Sequence, residues 1–138
     1  MASYTKEYQV PDTRPLMILI AGPYRSGTND DPKKVAANVE AMEAAALPVF
    51  RAGHIPMLGE WLALPLLRLA GSRKAGDSIY EEIFHPIAER LLTHCDAVLR
   101  IGGHSEGADR MVAVAREKGL RVFANIDDIP SLHFQEGT

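Results

Sequence analysis

The sequence predicts a single α/β domain, an open parallel sheet with helices packed on both faces, and three observations carry that prediction. Short apolar runs alternate with amphipathic stretches along the chain, the order that successive strand-helix units leave in a sequence. The runs "LMILIAG" and "DAVLRI" are apolar throughout and not at every second position, as strands covered on both faces require. A chain of 138 residues, 46% of them hydrophobic and 24% charged, has the material for one real core but not for two.

Residues 1–14, "MASYTKEYQVPDTR", show no sustained period and read as a loose N-terminal arm, so the domain is placed at 15–138. "LMILIAG" is the first strand, closed by glycine. After "PYRSGTND", Asp31 caps a long helix and Pro32 takes its first position. Val35, Val39, Met42, Ala46 and Val49 trace one apolar stripe along that helix. Pro48 removes an amide donor and crowds the carbonyl four residues back, so a kink or an early end is expected there. "RAGHIPML" then stops the helix and leads into a short second strand, with His54 in a structural role.

"EWLALPLLRL" reads as a short buried helix or an apolar lid, and "AGSRKAGDS" as a mobile, locally basic loop. A helix is expected from Ser78 to about Phe84. His85 precedes Pro86 and is biased away from helical angles, so a second helix is expected from Pro86 to about His94. "DAVLRI" is the next strand, a helix runs from about Glu106 to Lys118, and "LRVFAN" is the last strand. Helices alternating with apolar strands describe a Rossmann-like or flavodoxin-like sheet, in which ligands sit outside the carboxyl ends of the strands.

Charge and composition narrow the partners. A formal net charge of -3 argues against a nucleic-acid polymer, whose binders carry a basic face that releases counterions. The longest apolar stretch, around "WLALPLL", is too short to cross a membrane. Cys95, the only cysteine, cannot form an internal disulfide, and the N-terminus lacks the layout of a signal peptide, so a cytoplasmic location is expected. His94, Cys95 and His104 are too scattered for a metal set, and neither a metal nor a cofactor is expected.

Two strand-to-helix loops therefore hold the candidate ligand contacts. In "AGPYRSGT", glycine permits a tight turn, the hydroxyls of Ser26 and Thr28 and the cation of Arg25 suit phosphate oxygens, and Tyr24 offers a stacking face or a phenolic donor. In "GGHSEGAD", Ser105 is a natural N-cap, and Glu106 and Asp109 fall in the first turn, where the helix dipole favours acids. Two sequential glycines and then Gly107 exceed what capping needs, and close approach of a ligand to the backbone accounts for the excess.

With these loops in this order, the chain resembles the nucleoside 2-deoxyribosyltransferase and 2'-deoxynucleoside 5'-monophosphate N-glycosidase superfamily. The resemblance runs from about Leu16 to Asn125 and rests on "ILIAGPYRSG", "FRAGHIPML" and "CDAVLRIGGHSEGAD...VAVAREKGLRVF". It implies a homodimer or higher homo-oligomer acting on the N-glycosidic bond of a small-molecule deoxynucleoside or nucleotide. It also implies that the first loop holds the 5'-phosphate, where Gly22, Arg25 and Gly27 match the family's glycines and arginine, and Pro23, Tyr24 and Ser26 of the same loop are further candidate substrate contacts. In the second loop Ser105 and Gly107 match the serine and glycine that precede the family's catalytic glutamate, and Gly103 and Glu106 are further candidate contacts of that loop. The glutamate that the resemblance places four residues after Gly107 is Met111 here, and an aspartate eight residues before Asp96 is Ala88. "GGHSEGADRMVAVAREKG" also resembles the glycine-rich helix start of lysine-decarboxylase-like phosphoribohydrolases, which again implies a nucleotide or phosphoribosyl ligand.

A thioether can neither attack an anomeric carbon nor stabilise its developing charge, and Met111 continues the core stripe of Ala108, Val112 and Ala115. Three other side chains are candidates for catalysis. Asp109 is one, although two residues along a helix turn it by about 200° from position 111. Glu60, in "MLGEW" at the strand rim, is the second. Its neighbour Trp61 offers an indole to a base, or the pair is a surface glutamate beside a packing tryptophan. The third is His85, one turn before Ala88, as an acid or base or as a hydrogen-bonded helix cap. Arg68, Arg73 and Lys74 either reach a phosphate or form a solvated loop. The function expected is an N-glycosidase or deoxyribosyltransferase, with a non-catalytic nucleotide-binding or sensor module as the alternative.

Overall fold

A computed structural model describes residues 14–132. Four strands, β1 (Met17–Ala21), β2 (Ile55–Leu58), β3 (Ala97–Arg100) and β4 (Arg121–Phe123), form one sheet in the order β2-β1-β3-β4, with every pairing parallel. Helices α1 (Pro32–Arg51), α2 (Gly59–Ala70), α3 (Ser78–Leu92) and α4 (Glu106–Glu117) connect them, and a 3-10 turn at Ile126–Asp128 follows β4. This is the flavodoxin-like order. The chain steps from β1 outward to β2 and then returns to add β3 on the other side. The switch in direction therefore lies between β1 and β3, where an open parallel sheet leaves a crevice.

The apolar character of β1 follows from burial on both sides. Ile18 and Ile20 face one layer with Leu58, Leu99 and Phe123, closed by Met42, Ala46 and Val49 of α1 and by Ile129. Leu19 and Ala21 face the other with Val98, under Leu92 of α3 and Ala108, Met111, Val112 and Ala115 of α4. A third cluster joins α2 to α3 through Ala63, Leu67, Tyr80 and Phe84, set off from the sheet. No helix among the described residues is long and apolar enough to cross a membrane.

Caps stand where the side chains announce them. Asp31 accepts from the amide of Lys33 at 3.0 Å, and Ser105 accepts from that of Ala108 at 3.1 Å. Asp77 starts α3 by accepting from Tyr80 N at 2.8 Å, and it also binds the amides of Arg73 and Lys74 and the hydroxyl of Ser72. The basic loop is thereby tied to the helix it precedes. The amides of Tyr80 and Arg73 hold the Asp77 carboxyl down to about 2.

Pro86, expected to open a new helix, lies inside one, and so does Pro48. Helix α1 continues through Pro48 to Arg51, and α3 is one helix from Ser78 to Leu92 through Pro86. Each proline removes one bond, to the carbonyl of Ala44 or Glu82, and both of those residues are exposed to solvent that can replace the donor. Beyond each proline the helix is anchored by fully buried side chains, Val49 in α1 and Leu92 in α3. Helix α2 forms, yet only Gly59, Ala63 and Leu67 are buried in it, while Trp61, Leu62, Leu66 and Leu69 are exposed, so it is a half-covered helix and not a buried one.

Of the N-terminal arm read over residues 1–14, residues 1–13 lie outside the described part. Arg14 itself is anchored, donating to both carboxylate oxygens of Asp96 at 3.0 and 3.3 Å. His54 has the structural role expected of it. Its Nδ1 accepts from the amide of Leu16 at 3.0 Å, and its Nε2 lies 2.6 Å from the carbonyl of Pro130. A carbonyl only accepts, so Nε2 carries the proton and Nδ1 the lone pair. One buried imidazole thus ties the entry to β1 to the chain after the 3-10 turn.

Candidate functional site

At the switch point the loops after β1 and β3 interlock, and glycine is required where they touch. A Cβ on Gly22 would stand 3.1 Å from both the Cγ1 and the carbonyl oxygen of Ile101, and 3.3 Å from Cγ of Met42. Gly102 has φ +78°, and a Cβ there would meet Cδ of Pro23 at 2.6 Å. Gly102 therefore serves the joint between the two loops rather than the approach of a ligand, while Gly103 faces open space.

The first loop then follows a left-handed path, with positive φ at Gly27, Asn29 and Asp30. The hydroxyl of Thr28, buried to 2% exposure, donates to the carbonyl of Arg25 at 2.6 Å and accepts from the amide of Asp30 at 3.1 Å. It is committed to shaping the turn and is not available to a phosphate. The turn aims Asp30 at Arg25, whose Nε and Nη2 donate to the two carboxylate oxygens at 2.9 and 3.2 Å. That hydrogen-bonded pairing raises the affinity of Arg25 for its proton and lowers that of Asp30. The guanidinium lies 5.2 Å from the centre of the Tyr80 ring, a cation-π arrangement.

Between the loops and α3 opens a cleft of about 150 Å³. One wall is aromatic: Phe84 stacks on Tyr80 with ring centres 4.6 Å apart and meets Tyr24 at 4.7 Å. His85 stands edge-on to Phe84 at 5.3 Å, over the first turn of α4. A Cβ on Gly107 would lie 3.0 Å from Cε1 of the imidazole, so glycine at 107 makes room for His85. Helix α2 begins equally close to α3, since a Cβ on Gly59 would lie 3.1 Å from that of Ala88. Glu60 follows at once and turns into the cleft, with Ala88 and Met111 lining it as well.

Glu60 carries the strongest electrostatic signal of the site. Burial pushes its carboxyl up to about 7, against a partial offset from a hydrogen bond with its own backbone. The phenol of Tyr24 is raised by burial first and by the nearby charge of Glu60 second, which places the two groups within each other's field. Tyr80 is likewise raised by burial, against the opposing pull of Arg25. A carboxyl poised at neutrality in one cleft with a histidine, an aromatic wall and an arginine suits acid-base work on a ligand carrying a ring and an anionic group.

The candidates read from the sequence divide in two. Glu60, His85, Gly22, Tyr24, Arg25, Ser26, Ser105 and Gly107 line the cleft together. Asp109 does not: it is exposed and accepts from Nε of Arg100 at 3.1 Å. Gly103 gives its carbonyl to Nη2 of the same arginine at 2.9 Å. The indole of Trp61 turns away, donating to Glu43 at 2.8 Å. Pro23 packs on Gly102, and Gly27 and Glu106 are exposed outside the cleft.

Tyr80, Glu81 and Phe84 also line the cleft and were not singled out in the sequence. The signal available was the spacing of four from Tyr80 to Phe84 and on to Ala88, which puts two aromatics on one helix face beside His85. Among the described residues, no group of three or more His, Cys, Asp or Glu is placed to hold a metal ion. No protein-family model matches the chain, and no curated protein matches it.

Proposed function

We propose that the cleft takes the ribosyl group of a nucleoside monophosphate or related ribosyl compound, and that Glu60 acts on its N-glycosidic bond. The observation that carries this reading is a half-buried carboxyl, raised by desolvation to about 7, in the same cleft as Ala88 and Met111. Those are the two positions at which the resemblance to nucleoside deoxyribosyltransferases and deoxynucleoside monophosphate N-glycosidases implies acids. Glu60, arriving from α2, and Glu81 of α3 both line that cleft, and the raised carboxyl of Glu60 supports it as the replacement acid.

The chemistry follows from the charges. As the bond between the anomeric carbon and the base breaks, the electron pair leaves with the base nitrogen and positive charge develops on the sugar. The Glu60 carboxylate stabilises that charge and takes the proton of the attacking water, whose oxygen bonds to the anomeric carbon. His85 gives a proton to the departing base. Arg25 and the N-terminal amides of α4 supply positive potential for the ligand's phosphate.

The test is incubation with a panel of deoxynucleoside monophosphates, followed by chromatography for free base. The expected outcome is base release that falls about 100-fold or more in Glu60→Gln, the scale of a lost acid-base group. No release above the variant's level overturns the reading.

A second reading, a nucleotide-binding or sensor module without chemistry, is favoured by the apolar side chains of Ala88 and Met111 in the cleft. It predicts binding without base release. A ligand at a hundred times its dissociation constant then stabilises the fold by roughly 2.7 kcal/mol. We also propose a homo-oligomer, supported by the exposed stripe of Leu62, Leu66 and Leu69 on α2, in the cytoplasm, supported by the lone cysteine.

A further inference from the structure

The cleft is small for the ligand proposed for it. At about 150 Å³ it falls well below the roughly 300–1,000 Å³ of ordinary small-molecule sites, so it encloses a sugar ring and leaves the rest of the ligand outside. A second, more open groove of about 700 Å³ begins where the cleft ends, and Tyr24 lines both. Its floor is apolar, made by Val35 and Val39 of α1 and Leu64 of α2, and its rim carries Arg73 and Lys74 on one side and Glu40 on the other.

The boundary between the two spaces is charged. Arg25 faces the cleft and Asp30 the groove, with Asp30 exposed and Arg25 half-buried. The basic loop passes directly over it, since a Cβ on Gly76 would lie 3.2 Å from Nη2 of Arg25. Asp77 binds Arg73 and Lys74 through their backbone amides only, which holds the loop in place and leaves both side chains to the groove. Neither cation belongs to any of the four side-chain ion pairs among the described residues. Three cations thus line the path from cleft to groove, one of them paired with Asp30, and beyond them lie an apolar floor and the Glu40 carboxylate.

We infer that the groove holds the distal half of an extended substrate, so that the ligand is a nucleoside 5'-diphosphate linked to a second, base-bearing ribose that sits in the cleft, rather than a mononucleotide. This rests on the proposed reading of the cleft as a ribosyl site. The diphosphate crosses the boundary between Arg25 and the Arg73-Lys74 rim. The distal base lies on Val35, Val39 and Leu64, and the Glu40 carboxylate accepts from the hydroxyls of the distal ribose. The extended ligand draws affinity from the groove that a mononucleotide cannot reach.

Calorimetric titration of the full chain with AMP and with ADP-ribose tests this directly. ADP-ribose is expected to bind at least about tenfold tighter than AMP. The double variant Arg73→Ser/Lys74→Ser is expected to erase that gain while AMP affinity stays within about twofold. Ala36→Trp fills the groove from an exposed position on α1 and is expected to do the same. If ADP-ribose binds no tighter than AMP, or if its advantage survives both changes, the inference is overturned while the ribosyl reading of the cleft stands. If neither compound binds and no mononucleotide is cleaved, both fall together.

Discussion

At Glu60, function and stability pull in opposite directions, and the sign of the conflict follows from its shift. Its carboxyl moves from 4.5 to about 7 on folding. Between these values the folded state binds more protons than the unfolded one, so stability declines as pH rises through the interval and the full cost is present above 7. The shift corresponds to a penalty on the order of 3 kcal/mol at alkaline pH. Glu60→Gln, neutral and nearly isosteric, is therefore expected to melt higher than the native protein at pH 8. At pH 5 most of that advantage is expected to disappear. Equal melting temperatures at pH 8 would show that Glu60 is not desolvated. Its place at the strand rim was legible in "MLGEW", but its burial was not, because that depends on α2 docking against α3 at Gly59 and Ala88. Asp109 failed for a similar reason, since nothing local reveals that Arg100 at the end of β3 reaches across to hold it.

The strands and caps were legible at the scale of elements because their causes are local. An apolar run flanked by glycine, or an aspartate before a proline, carries its own reason. The helix break at Pro86 was misread because a local rule counts the lost bond, about 3 kcal/mol, and not what lies beyond it. Fully burying a valine or leucine contributes roughly 1.5–3 kcal/mol each, and Val49 and Leu92 are both at 0% exposure. Solvent at the freed carbonyls reduces the cost further. His54 is the clearest long-range tie, joining residues 16 and 130 through one ring. His54→Ala is expected to cost roughly 2–4 kcal/mol in denaturant unfolding, from two lost hydrogen bonds and a cavity. A loss below 0.5 kcal/mol would mean that the tie is dispensable.

The whole molecule places its site by topology. Because β2 and β3 flank β1 on opposite sides, the loops after β1 and β3 must diverge at one point, and the cleft opens there. The fold class and the importance of these two loops were readable from the order of strands and helices. The aromatic wall was not, since Tyr80 and Phe84 reach the cleft only through the way α3 leans on α2. The same arrangement leaves Leu62, Leu66 and Leu69 of α2 uncovered, with Leu69 77% exposed. If that stripe is the contact between copies, Leu66→Glu/Leu69→Glu is expected to shift sedimentation from oligomer to monomer without loss of helical signal. An unchanged sedimentation coefficient would place the contact elsewhere.

On the proposed reading the half-buried Glu60 carboxylate, charged above about 7, acts on an N-glycosidic bond. The most direct measurement is the rate of base release from a deoxynucleoside monophosphate between pH 5 and 9. It should rise as Glu60 loses its proton near 7 and lose that rising limb in Glu60→Gln. A rate with no rising limb near 7, or a rising limb that survives in the variant, would contradict it.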